Sequence, residues 1–140
     1  MPQPVEAGVL NVLGELQRVH AELLQLISDH EMMTREAAPP ADLAKVRYKL
    51  MCASTNRNRY LETSVYVVAI EKASGAQLEG VLKLGAQATA QFLRMVDYIG
   101  KWDMPRIRSN WRDYCTASRE LRADMRKRIA DEQQVLYPLL

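Results

Sequence analysis

An all-α fold is predicted for this chain, as an up-down-up-down antiparallel four-helix bundle that takes residues 1–140 as a single domain. Three observations predict it. Long segments carry apolar residues at steps of three and four, glycine and proline fall between those segments, and no run alternates with the period of a strand.

The first helix is expected from Val5 to Arg35, with Val9, Leu13, Leu16, His20, Leu23 and Ile27 along one face. Ala37-Ala38-Pro39-Pro40 ends it, because proline lacks an N–H and clashes with the preceding turn. Asp42 is expected to cap the second helix. The inner stripe of that helix reads Leu43, Val46, Leu50, Ser54, Asn58, Leu61, Val65 and Val68, and it fades near Ser74-Gly75. In the third helix Leu78, Val81, Leu82, Gly85, Ala88, Phe92, Met95 and Ile99 should face inward. Trp102-Asp103-Met104-Pro105 makes the next corner, and Pro105 suits the first turn of a fourth helix. That helix has Ile107, Trp111, Tyr114, Ser118, Leu121, Met125, Glu132 and Val135 inward, and Pro138 closes it. Its phase is open at one point: either Arg128 or Ile129 faces the core. Short connections set successive helices antiparallel.

The composition, 48% apolar and 26% charged, is that of a globular protein rather than a disordered one. No apolar run approaches the roughly 18 residues that a bilayer demands, and residues 1–6 lack the basic and apolar regions of a secretory leader. A cytoplasmic protein with no membrane partner is expected. Cys52 and Cys115 belong to no Cys-x-x-Cys pair and are expected as small core or boundary residues in a reducing compartment.

Polar residues on the apolar stripes stand out. His20 lies between Leu16 and Leu23. Asn58 with Glu62, and Arg128 with Glu132, each pair one helical turn apart on a single face. Charged groups are rarely buried unless they are paired or hold a metal. A buried network of Glu62, Glu132 and Arg128, completed by His20 and Asn58, is therefore expected. If instead Ile129 fills the core, Arg128 reaches out to solvent. His30, flanked by Asp29 and Glu31, is expected at the surface.

These residues carry a resemblance to the hemerythrin-like, HHE cation-binding family. Arg128-Ile129-Ala130-Asp131-Glu132-Gln133-Gln134-Val135-Leu136-Tyr137-Pro138 resembles the family's closing His-carboxylate motif and its Leu-aromatic-Pro ending, with arginine in the histidine position. Asn58-Arg59-Tyr60-Leu61-Glu62 resembles the second-helix His-x-x-x-Glu motif, with asparagine for histidine, and His20 matches the first-helix ligand. The resemblance implies a helical bundle built around two iron ions. The family's carboxylate can fall five residues after the histidine, which here is Gln133. Gln87 and Gln91 have ligand-like spacing on the third helix, but neutral amides bind iron weakly. His20, Glu62 and Glu132 cannot supply the imidazoles and carboxylates of a di-iron centre. Arg128 presents only donors, so it cannot ligate a cation and repels one. A vestigial site without metal or cofactor is expected.

Net charge is +2, yet residues 101–128 hold nine basic and four acidic side chains, which leaves +5 there and −3 elsewhere. Arg108, Arg112, Arg119, Arg122 and Arg126 form a stripe along the fourth helix. It reads either as a solvated face or as a docking strip for an acidic or phosphate-bearing partner. No nucleic-acid recognition motif, phosphate loop, zinc motif or nucleophile-base-carboxylate pattern occurs, so neither an enzyme nor a nucleic-acid binder is expected. What remains is a non-catalytic interaction or regulatory protein that meets another protein or a second copy of itself. The alternatives are residual metal or oxygen handling, and phosphate or nucleic-acid binding through the arginine stripe.

Overall fold

The structure, a computed structural model, describes residues 11–140. The expected start of the first helix at Val5, its inner residue Val9 and residues 1–6, where a secretory leader is not expected, lie outside the described residues. Among the described residues all regular structure is helical. Helix α1 runs Val12–Met33, α2 Leu43–Tyr60, α3 Tyr66–Lys72, α4 Ala76–Lys101, α5 Met104–Ser109 and α6 Trp111–Leu136. A π-helical turn, Leu61–Val65, joins α2 to α3, and a 3-10 turn, Tyr137–Leu139, follows α6. Among the described residues no helix is long and apolar enough to cross a membrane.

The breaks have local causes. Thr34 N–H returns to the His30 carbonyl and Arg35 N–H to the Met32 carbonyl, which closes α1. Asp42 occupies the residue before α2, but its side chain makes no capping hydrogen bond, contrary to the role expected of it. Gly75 takes φ 56° between α3 and α4, a conformation open to glycine and costly to other residues. Asp103 Oδ1 accepts from Arg106 N–H at 2.8 Å and starts α5, with Pro105 in its first turn. The expected single fourth helix is split at Asn110, which leaves the helical region at φ −137° and ψ 50°. Its side-chain amide donates to the Arg106 carbonyl at 3.1 Å, so this asparagine serves an ending helix rather than continuing one.

The π turn sets the phase of the second helical arm. Arg57, Leu61, Val65 and Ala69 are all buried, at steps of four. At about 100° per residue an unbroken α-helix would carry Ala69 roughly 120° out of line with Arg57. One extra residue in a π turn removes about 100° of that drift. The period of α2 itself sets Arg57 inward, seven residues after Leu50 and one position from the expected Asn58, and the π turn carries that line on to Ala69.

Apolar packing gathers in three clusters. Val12, Leu16, Leu61, Val65, Val81, Leu84 and Leu136 meet near one end, Leu23, Ile27, Leu50, Met125 and Ile129 meet midway, and Leu43, Trp102, Ile107 and Tyr114 meet near the other end. Each fully buried leucine or isoleucine contributes roughly 1.5–3 kcal/mol. α1 and α6 run antiparallel, because His20 meets Glu132 while His30, further along α1, meets Arg122, further back on α6. α4 buries only Val81 and Leu84. Leu82 and Phe92, expected inward, are 54% and 46% exposed, so the helix is turned away from that expectation.

Candidate functional site

Two polar layers separate the three apolar clusters. The first is centred on Glu132, whose side chain is fully buried. α1 delivers His20, whose Nε2 lies 2.7 Å from Glu132 Oε1. α6 delivers Arg128 one turn before Glu132, and its Nε donates to Glu132 Oε2 at 2.7 Å. Arg128 also donates to the Leu84 carbonyl at 3.3 Å and to the Tyr66 hydroxyl at 3.4 Å. α2 adds Arg57, whose Nε stands 4.0 Å from Glu132 Oε2. Tyr137 closes the layer, with its hydroxyl 2.6 Å from His20 Nδ1.

The carboxylate only accepts, so His20 Nε2 carries a proton and donates it. In the neutral ring Nδ1 then accepts from the Tyr137 hydroxyl. Burial pushes the Glu132 carboxyl toward its neutral form. The His20 hydrogen bond and the charges of Arg57 and Arg128 outweigh that push and hold it below the ordinary carboxylate value. Burial draws the Arg57 guanidinium down, Glu132 opposes this, and Arg128 adds repulsion.

The second layer surrounds Tyr114. Arg122 Nη1 lies 2.9 Å from His30 Nδ1, and His30 Nε2 lies 2.8 Å from the Tyr114 hydroxyl. Arginine can only donate, so Nδ1 is the acceptor and the imidazole proton sits on Nε2. Tyr98 shares a 2.6 Å hydrogen bond with Ser118, and the rings of His30, Tyr98, Trp102 and Trp111 lie 5.6 to 5.9 Å from that of Tyr114. Burial, then the charges of Arg122 and Arg47, lower the His30 pKa from 6.5 to about 4. A mainly apolar cavity of about 300 Å³ opens beside this layer, lined in part by His30, Arg47, Met95, Tyr98 and Trp102.

No family model, curated protein or solved structure matches this chain.

The structure brings together His20, Arg128 and Glu132, with both Arg128 and Ile129 buried rather than one at the expense of the other. Glu62 is exposed and takes no part, because it follows the inward Leu61 and points about 100° away from it. Asn58 is half-buried at the edge, where its Oδ1 accepts from Arg57 Nη2 at 3.2 Å. Gln133 is half-buried, and its backbone carbonyl accepts the Tyr137 N–H. Among the described residues no three His, Cys, Asp or Glu side chains come together in a way that could hold a metal ion.

The arginine stripe is not one face. Arg108 lies on α5, beyond the break at Asn110. Arg112 and Arg119 are exposed on α6, Arg126 pairs with Glu31 at 2.8 Å, and Arg122 is buried against His30. His30, expected at the surface, is 2% exposed. Arg57, Tyr66 and Tyr137 were not singled out as members of the first layer. Only Arg57 left a signal, its step of four to Leu61.

Proposed function

We propose that this chain is an up-down-up-down four-helix bundle of hemerythrin-like descent whose di-iron site has been lost, and that it acts without catalysis, by associating with a second copy of itself. The antiparallel pairing of α1 and α6 and the short connections support the topology. The buried Arg128–Glu132 pair supports the loss of metal, since a fixed guanidinium neutralises the carboxylate that an iron would need.

The outer face of α4 carries the interaction reading. Leu82, Ala86, Thr89, Leu93, Val96 and Gly100 are all exposed and follow one another at steps of four and three, the spacing of a helix-pairing seam. A two-fold axis near Thr89 and Ala90 brings Leu82 to Val96 and small Ala86 to large Leu93, each within one residue of directly opposite. The same axis sets Glu79 against Lys101 and Lys83 against Asp97, opposite charges in both cases. The face is thus self-complementary, as a symmetric dimer requires. Cys52 and Cys115 are free thiols, which suits a reducing cytoplasm.

Sedimentation equilibrium of the full chain tests the association, and Leu93→Glu should abolish it. A wild-type monomer at all concentrations would defeat the self-association reading and leave a different protein as the partner. Metal analysis with an absorption spectrum tests the other half, because stoichiometric iron with oxo-bridge absorption would restore metal or oxygen handling.

A second reading has one observation behind it. A cavity of about 320 Å³ between α1 and α6 gathers Arg35, Arg119, Arg122 and Arg126 around Glu31. That charge suits a phosphate-bearing ligand. Stabilisation by pyrophosphate at constant ionic strength, lost in Arg119→Glu, would favour it.

A further inference from the structure

A smaller cavity, of about 40 Å³, lies between α2, α4 and α6 beside the first polar layer. Ser54, Arg57, Gln91 and Arg128 line it. Ser54 Oγ, Arg57 Nε and Nη1, and Gln91 Oε1 are buried there without a hydrogen-bond partner among the described residues. Ser54 and Arg57 are 1% and 5% exposed. Buried polar atoms are seldom left unsatisfied, and several around one space call for something to fill it.

Charge selects the occupant. Arg57 and Arg128 bring two positive charges to this region, and Glu132 answers with one negative charge. Arg128 Nε takes Glu132 Oε2 at 2.7 Å, while Arg57 Nε stops 4.0 Å from the same oxygen. At the rim Arg94 and Asp124, which also line the cavity, pair at 3.5 Å and cancel each other. One buried positive charge is left over, and a cation in low dielectric is costly without a counter-charge. A metal ion is excluded by the two guanidiniums.

The geometry points to a binding site for a small monovalent anion of chloride size, held by Arg57 Nε and Nη1, the Ser54 hydroxyl and the Gln91 side chain. Turning the Gln91 amide over presents its N–H to the ion instead of its oxygen. The volume exceeds the roughly 10–15 Å³ that one water needs and is too small for a phosphate ester. The anion completes the charge balance of the first layer with no further side chain, and it makes folding stability depend on halide concentration. The site stands on the packing around Arg57 and does not depend on what α4 binds.

Melting temperature of the full chain is measured in sodium chloride and in sodium gluconate at equal ionic strength, gluconate being too large to enter. A saturable rise with chloride is expected. Arg57→Met should remove that dependence, and Ser54→Ala should require about tenfold more chloride for the same rise. Crystals grown in sodium bromide should show an anomalous peak within hydrogen-bonding distance of Arg57 and Ser54. If Arg57→Met fails to fold, Ser54→Ala and the bromide crystals decide. Water alone in the cavity of the bromide crystal, or identical melting in the two salts, overturns the site. Because the readout is the position of one ion, failure here leaves the α4 dimer and the metal analysis untouched.

Discussion

His20 Nε2 lies 2.7 Å from Glu132 Oε1, across the gap between α1 and α6, while the other oxygen of the same carboxylate is held by Arg128. One buried carboxylate thus joins two helices and holds the Arg128 guanidinium. The arrangement is costly to assemble, because three polar side chains leave water, and costly to break, because any one removed strands the rest.

Arg128→Met should therefore destabilise the chain by roughly 3–5 kcal/mol at neutral pH, measured by urea denaturation. The loss should shrink in acid. In the wild type the Glu132 carboxyl is held below its unfolded value, so its stabilising contribution is present above the ordinary carboxylate range and is lost as pH falls through the folded pKa. Without Arg128 burial meets less opposition and the pKa rises, so protonation relieves the stranded charge earlier. A variant as stable as the wild type, or one whose deficit is the same at pH 4 and pH 7, would show that the pair does not hold the layer.

His30 gives a second pH signature. Its pKa falls from 6.5 to about 4 on folding, so between those values the unfolded chain binds more protons. The stability it contributes is complete above pH 6.5 and is lost as pH drops through about 4, a swing of roughly 3 kcal/mol at 1.36 kcal/mol per unit. His30→Gln keeps an acceptor for Arg122 and a donor for Tyr114 but does not titrate. The difference between wild type and variant should vary over this window and be flat above it. A constant difference from pH 7 to 4 would place His30 outside the buried layer.

The α4 seam predicts a rescue by charge. Lys83→Asp puts like charges opposite each other at two symmetric places and should raise the dimer dissociation constant about tenfold. Adding Asp97→Lys restores opposite signs and should restore the wild-type constant. Leu93→Glu should abolish the dimer while changing monomer stability by less than about 0.5 kcal/mol, since Leu93 is 54% exposed. A double charge variant no tighter than the single one would mean that these residues do not face each other.

Some of this was legible in residue order and some was not, for identifiable reasons. The α1 stripe through Leu16, His20, Leu23 and Ile27 could be read directly, because α1 is an unbroken α-helix and the period holds. Arg128 and Glu132 followed in the same way from α6. Arg57 could be read from its step of seven from Leu50, but a stripe drawn through Ser54 and Asn58 passes it by; the π turn, which no local propensity announces, hid only the continuation of that line to Ala69. His30 gives no such signal: its neighbours Asp29 and Glu31 suggest the surface, although adjacent residues on a helix point about 100° apart. α4 carries apolar residues on two faces, so period alone could not say that Val81 and Leu84 are the buried ones and Leu82 and Leu93 the exposed ones.

The π turn itself can be tested by length. Thr63 is exposed within Leu61–Val65, and its hydroxyl bonds only the Arg59 carbonyl of its own helix. Thr63→Ala keeps the residue count and should cost less than about 1 kcal/mol. Deleting Thr63 removes the extra residue, converts the segment to plain α-helix, and rotates one flank against the other by about 100°. Either Arg57 and Leu61 leave the inner line, or Val65 and Ala69 do. Exposing Val65 alone forfeits roughly 1.5–3 kcal/mol, and turning Tyr66 away takes a hydroxyl from Arg128. The deletion should thus cost about 3 kcal/mol or more in urea denaturation. A deletion variant no less stable than Thr63→Ala would mean that the extra residue does not set the phase joining Arg57 to Ala69.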